Sequence, residues 1–572
     1  MKKQKRNTSN SIRFAKKIGA FMLAFTMVFG MVGCNNKGVN ADKGDNLSSG
    51  GGSSSGSGSL SDYESGNTVG GNTGGSTGDY ETEDKVNGGT SGGNTGDYET
   101  ENTPTTTPPS GSLDDYVGGE LADLPSSLID DEYRTKDGYS YFYHHQHSPT
   151  TMPIAAWVAP PPPCNTSIGN FTTNQITLEN YKTLAESGIN TIYGLYDIIL
   201  GPNSASNPNV SNALRWANAT DLVYYVRDTG LLNNLNQSGA SVIENECSWY
   251  MNQAAYGGTL TSDEPGIGNP ETPFNKYKVA REAWNQTKYK GIKNMYVNHL
   301  PSYASKNQLY YGAGMTGSEP SIDFTGKNWG NFVKAYVETV KPDMYSYDFY
   351  PFREGKAQFA DYYFSLSTAR REAAAGNIPF WVFCQVGYFD HVSTLSEAQM
   401  RIQVSTALAY GAKGVQWFCY WLPLEFSPKY TAGLVDHFGV KTLYYPMVQK
   451  INKQVKAAGE ILMQCKNMGV IQIGNSYDTI PTGDLLTTYG AVTSTSGSTG
   501  DAIIGCFEYR NTGKSVYYVA SNNFDVGTTV KLTFDKAYNV SVIQNATETK
   551  ASNQSSIELQ IAAGDGALVV VG

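Results

Sequence analysis

The sequence predicts a (β/α)8 barrel followed by an all-β module, and three observations carry that expectation. Eight short apolar runs alternate with helical stretches over about 310 residues from residue 150, the signature of parallel strands joined by crossover helices. Carboxylates stand where several of those runs meet turn residues, which is where a barrel of this kind keeps its chemistry. After residue 466 the helical pattern stops, and short β-type runs separated by turn residues continue to the last residue.

In order, the predicted strands begin with MPIAAWV (152–158), ended by Pro160 to Pro163. A helix over 177–188 leads to NTIYGLYD (190–197). A helix near 211–228, a weak strand near 230–235 and a helix near 241–255 follow. The fourth strand, YGGTL, runs into LTSDEPG (260–266), where Pro265 and Gly266 stop it. A helix over 273–289 precedes KNMYVNHL (293–300), and a helix near 328–340 precedes DMYSYDFYPF (343–352). A helix near 355–376 precedes PFWVFCQV (379–386), a helix near 395–410 precedes GVQWFCYW (414–421), and a helix near 441–464 closes the set. Eight units favour a closed barrel over an open sheet. No glycine-rich phosphate loop follows any strand, so no nucleotide cofactor is expected. The tail after 466, from GVIQIG to GALVVVG, reads as a sandwich of a kind that binds sugar or braces the barrel, with bracing the preferred reading.

The N-terminal part differs. Residues 1–17 are basic and residues 18–32 are apolar but too short to span a membrane. They run into MVGC, residues 31–34, which resembles a bacterial lipoprotein signal and implies lipidation of Cys34 at the outer, extracellular face of the cell membrane. Residues 35–118 are rich in Gly, Ser, Thr and Asn and carry GDYETE twice, at 78–83 and 96–101. Such a composition buries too little apolar surface to offset chain entropy and is expected to be a disordered stalk, on the order of 50 Å end to end. The expected organisation is therefore 1–34 signal, 35–118 linker, 119–466 barrel and 467–572 β-sandwich.

Charge and cysteine usage narrow the function classes. Of 42 basic residues seven lie in 1–34, so against 52 acidic residues the remainder stands near −17. That excludes the basic face a nucleic-acid partner needs. Cys164, Cys247, Cys384, Cys419, Cys465 and Cys506 lie far apart with no metal-type spacing and are expected to be mostly buried thiols. The cluster HHQH (144–147) precedes the first strand and has no companion cluster, so no metal site is assigned. The 12% aromatic content, with 39 Tyr and 8 Trp, suits stacking on sugar faces as well as core packing.

The acids at predicted strand ends are Asp197, Asp263, Glu264, Asp348, Asp390 and Glu425. Glycoside cleavage needs two carboxyl groups, one kept protonated by an apolar wall or a neighbouring negative charge. Glu264, beside Asp263, fits the proton-holding role. Here the sequence resembles the barrel glycoside hydrolases of clan A. Its DEP resembles their strand-four acid/base motif, usually NEP. The wider series AAWVAPP, TSDEPG, VNHLPSY, YSYDFYPF and ALAYGAKGVQWFCYW, with a β module behind, is similar to the β-galactosidase family 42-like kind. The resemblance covers roughly 150–572. It implies Glu264 as proton donor and Asp263 as its orienting neighbour. It fails at strand seven, where those enzymes carry a nucleophilic Glu and this chain has Gln385. Asp348 at the end of strand six is then the better second carboxylate, ahead of Asp390 and Glu425. Trp157, Asn298, His299, Tyr347, Gln385, Trp417 and Trp421 fall near strand ends and are expected to contact a carbohydrate. Two other readings stay open: a carbohydrate-binding protein on a barrel that has lost its nucleophile, and an adhesive surface protein.

Overall fold

The structure, a computed structural model, describes residues 150–165, 170–199, 207–353, 356–388, 394–424, 432–474, 485–509, 512 and 514–572. Cys34, the stalk, the HHQH cluster, Asp390 and Glu425 lie outside them.

Eight parallel strands close a barrel. They are β1 (Ile154–Ala156), β2 (Thr191–Tyr193), β3 (Val223–Arg227), β4 (Tyr256–Asp263), β5 (Asn294–His299), β6 (Tyr345–Asp348), β7 (Phe380–Gln385) and β8 (Gly414–Phe418). Each pairs with its neighbours in sequence, and β8 returns to β1 through Ile154 opposite Val415. Around them lie α1 (Leu178–Glu186), α2 (Pro208–Ala219), α3 (Leu231–Ser238), α4 (Asn275–Trp284), α5 (Lys306–Tyr311), α6 (Trp329–Val340), α7 (Phe359–Ala375), α8 (Glu397–Ala409) and α9 (Tyr444–Leu462). The helix starts follow the sequence: Thr177, Asn207, Ser305 and Ser396 each accept a backbone N–H of the first turn, and the last two form capping boxes with Gln308 and Gln399.

The third unit differs from expectation. The helix expected over 211–228 ends at Ala219, and 223–227 is the strand. Asp221, at φ 57°, turns the chain after the helix, and the aromatic and β-branched VYYVR is buried throughout. A short, wholly apolar run carries no period that separates strand from helix. The weak strand near 230–235 is instead the start of α3, whose first turn is capped by Asp228 accepting from Gly230 and Leu231 N–H.

The barrel interior is aromatic and polar together. Tyr193 packs on Tyr296 (4.7 Å), Tyr225 (5.0 Å) and Trp157 (5.2 Å), and Trp157 meets Phe383 edge-on. This plug floors the C-terminal mouth.

Behind the barrel, seven antiparallel strands form one continuous sheet: β9 (Cys465–Ile473), β10 (Val492–Thr499), β11 (Ala502–Tyr509), β12 (Ser515–Ser521), β13 (Thr528–Gln544), β14 (Thr547–Ile561) and β15 (Gly566–Val571). Strand β13 pairs with β10 through its first half and β15 through its second. One bent strand therefore lines both sides of a core built from Ile504, Val519, Leu532, Val540 and Val569. Helix α8 braces this domain. Arg401 bridges Glu397 (2.7 Å) and the buried Asp565 (3.2 Å), and Gln454 of α9 donates to Asp565 at 2.7 Å. Cys247, Cys384, Cys419, Cys465 and Cys506 are buried free thiols.

Candidate active site

Strand β4 is longer than its sequence suggests and runs through Asp263. Its register against β5 slips between Leu260 and Ser262, so Thr261 is an extra residue, held by its hydroxyl donating to Tyr296 O at 2.7 Å. A bulge there re-aims the side chains that follow. Glu264 then takes φ 46°, a left-handed conformation that costs on the order of 1 kcal/mol for a residue with a side chain. It is held from both sides: Glu264 N–H donates to Asn298 O (2.8 Å), and Ala313 N–H donates to Glu264 O (3.0 Å). The chain beyond must pass close to residues 310–312. A Cβ on Gly266 would sit 2.2 Å from Gly312 N, so only glycine fits. Sequence and strain thus fix one carboxylate at the mouth.

Three carboxyl groups meet there. Glu264 and Asp348, from the ends of β4 and β6, are close enough for their carboxyl groups to share a proton. Asp348 is 6% exposed, and its Oδ1 has no hydrogen-bond partner among the described residues. Burial, reinforced by the Asp348 and Asp263 charges, holds the Glu264 pKa well above the usual carboxylate range. Burial and the Asp263 charge push Asp348 up to about 8. Asp263 rises only to about 6, because Asn298 and Arg227 oppose the effect of burial.

The difference has a structural source. Tyr193 and Tyr296 hydroxyls donate to Gln416 Oε1 (2.5 and 2.8 Å), and Gln416 Nε2 donates to Ser346 Oγ (2.9 Å). Ser346 Oγ donates to Asn298 Oδ1 (3.2 Å), and Asn298 Nδ2 donates to Asp263 Oδ1 (3.1 Å). Every donor points toward Asp263, which favours its charged form. Glu264 is the member of the cluster best placed to hold a proton. Tyr303 and Tyr350 complete the surroundings: burial raises both phenols, the Glu264 and Asp348 charges add to that rise, and the Arg353 guanidinium lies 4.0 Å over the Tyr303 ring.

A recess of about 350 Å³ opens beside the cluster. Asp263 and Glu264 line it together with Asn269, Thr272, Tyr311 and Met315. Asp348 does not. Among the described residues no group of three or more His, Cys, Asp or Glu is arranged to hold a metal ion.

Of the residues expected to touch a carbohydrate, Asn298 reaches the cluster and Trp157 lies in the aromatic floor. The others are placed elsewhere, for identifiable reasons. The Trp417 indole points outward and donates to Asn452 of α9 (2.8 Å). Tyr347 also points outward, against Trp329 of α6. His299 is fully buried among Phe274, Phe332, Tyr336 and Tyr345. Its Nδ1–H donates to Ser346 O at 3.0 Å, and burial drives its pKa down to about 3, so it is neutral. Trp421 is buried under the turn at Asp436–Val440, with Gly439 against its ring. Gln385 spends its side chain on main-chain groups. Alternation along a strand decides these placements, and motif position alone does not reveal the phase. Asp197 accepts from Tyr224 and is a buried, structurally satisfied carboxylate. Arg227, Ser346, Gln416, Tyr303 and Tyr350 were not singled out from the sequence. For Gln416 the available signal was a polar residue inside an otherwise apolar strand.

The fold and site define a (β/α)8 barrel with a carboxyl cluster at its C-terminal mouth. No protein-family model and no curated protein matches the sequence. Among solved structures the chain overlaps a β-galactosidase from Bacillus circulans sp. alkalophilus at 9% identity and TM-score 0.43, covering 74% of this chain and 99% of that one. It overlaps a glucosidase from Croceicoccus marinus at 10% identity and TM-score 0.36, covering 74% and 95%. It overlaps an α-galactosidase from Saccharomyces cerevisiae at 10% identity and TM-score 0.39, covering 76% and 100%. Overlap at that level fixes neither a substrate nor a catalytic residue.

Proposed function

We propose that the barrel hydrolyses O-glycosidic bonds of an extracellular poly- or oligosaccharide, with Glu264 as general acid/base and Asp348 as the second carboxylate. The observation that carries this reading is the approach of two buried carboxyl groups from β4 and β6 beside an open recess. Retaining glycosidases hold their carboxyl groups about 5–5.5 Å apart, whereas inverting ones leave about 6.5–9.5 Å for a water molecule. A pair close enough to share a proton is tighter than either spacing and must part to admit a sugar; the smaller opening corresponds to the retaining course.

In that course Glu264 gives its proton to the glycosidic oxygen as the C1–O bond breaks. Asp348 carboxylate forms the bond to C1, and the leaving alcohol departs. Glu264 carboxylate then takes a proton from water, the water oxygen bonds to C1, and Asp348 is released. Because Glu264 lines the recess and Asp348 does not, the recess suits the leaving group. Asp263, kept anionic by its donors, maintains the field that holds the Glu264 proton. Lipidation of Cys34 would keep the domain at the outer face of the membrane, next to polymeric substrates.

The test is turnover of a glycan panel by the folded chain, with Glu264→Gln as control. Turnover by the wild type that the variant loses supports the proposal. Glycan binding without turnover by the wild type points to a binding protein.

A further inference from the structure

The residue at the end of β7 occupies the position where a strand-seven nucleophile would stand, and its surroundings explain why it is a glutamine. The Gln385 carboxamide pairs with the main chain of Phe352 as a neighbouring strand would: Phe352 N–H donates to Gln385 Oε1 (2.8 Å), and Gln385 Nε2 donates to Phe352 O (3.0 Å) and Gly387 O (3.1 Å). Gln403 of α8 repeats the arrangement one tier back. Its Oε1 accepts from Gln385 N–H (2.8 Å), and its Nε2 donates to Gln385 O (3.3 Å). Both glutamines are fully buried. A carboxamide offers one donor face and one acceptor face, matching a peptide unit. A glutamate would satisfy Phe352 N–H but set a charged oxygen against the Phe352 and Gly387 carbonyls, with no water to relieve it.

Phe352 lies four residues beyond Asp348, in the segment that also carries Tyr350 and Arg353. Its ring also meets the C-terminal domain. Phe524, from the β12–β13 loop of the C-terminal domain, packs on Phe352 (5.4 Å) and Phe359 (6.0 Å), and the adjacent Asn522 accepts from Tyr363 OH of α7. The main chain of this segment is thus tied to β7 and its side chain to the β domain.

We infer that Gln385 and Phe524 are positioning residues that act through Phe352 to hold Asp348 against Glu264, so that the β domain completes the active site. The inference rests on the proposed glycosidase reading but is separable from it. The Gln385 side chain bonds main-chain groups of Phe352 and Gly387.

The test uses the full chain with Gln385→Glu and Phe524→Ala. Two readouts are taken: kcat and KM on whichever glycan the wild type cleaves, and the pH dependence of unfolding between about pH 4 and 8. The second follows the carboxyl pair whether or not a substrate is known. Both variants should lower kcat, by about 100-fold if Asp348 moves by about 1 Å, with KM changed much less. Both should narrow the pH range over which stability declines, because a loosened pair loses its raised pKa values. Phe524 is only half-buried and outside the barrel, so its variant decides the matter if Gln385→Glu does not fold. Higher activity in Gln385→Glu, or an unfolding profile in Phe524→Ala that overlays the wild type, would overturn the inference. Wild-type inactivity on every glycan would remove the hydrolase reading, and the unfolding profiles would still decide the positioning role.

Discussion

Glu264 and Asp348, brought together from the ends of β4 and β6, are close enough to share a proton between their carboxyl groups at a mouth otherwise floored by aromatic rings. Two such groups cannot both ionise cheaply at contact distance, so the pair is a proton-holding unit whose state sets both stability and chemistry.

The first consequence is a pH-dependent stability. Burial and the Asp263 charge push Asp348 up to about 8 when folded, against near 3.9 in an unfolded chain. Between those values the folded state binds more protons, so stability falls as pH rises from about 4 to about 8. Asp348→Asn has no such titration. Denaturant unfolding should find it more stable than the wild type at pH 8, by on the order of 2 kcal/mol, with the advantage shrinking toward pH 4. Parallel pH profiles for the two proteins would show that Asp348 takes no part in the proton-holding pair.

Asp263 tests the electrostatic field. Asp263→Asn removes a negative charge that raises the Glu264 pKa. A general acid must be protonated, so its pKa sets the basic limb of the kcat/KM profile. That limb should move to lower pH in Asp263→Asn. An unmoved limb would separate Asp263 from the acid.

Trp417 separates fold from site. Its indole donates to Asn452 on the helical side of the barrel. Trp417→Phe should cost about 1–2 kcal/mol of stability through the lost hydrogen bond and reduced packing, with KM on a cleaved glycan unchanged. A raised KM would return Trp417 to the mouth.

The membrane anchor is tested separately. Cys34→Ala should shift the protein from the membrane fraction to the soluble fraction without altering turnover. Retention in the membrane fraction would count against lipidation.

The barrel was legible because its strongest signals are local and periodic: capped amphipathic helices, and strand ends marked by LTSDEPG and YSYDFYPF. The exception, VYYVR at 223–227, is a run in which every residue is buried, so no alternation survives to identify a strand. Glu264 and Asp348 were legible because carboxylates stand out at apolar strand ends. The ligand residues were not, because Trp417, Tyr347 and His299 face the helices, and a strand's phase changes at bulges such as Thr261 that no motif announces. Gln385 could not be read from sequence, because its role depends on Phe352, 33 residues away.

The most direct measurement is the anomeric configuration of the first product, followed by proton NMR while the wild-type chain cleaves a glycan. Contact between Glu264 and Asp348 predicts retention, with Glu264→Gln and Asp348→Asn each slowed at least about 100-fold. Inversion at C1, or full activity in Asp348→Asn, would contradict the pair as the catalytic unit.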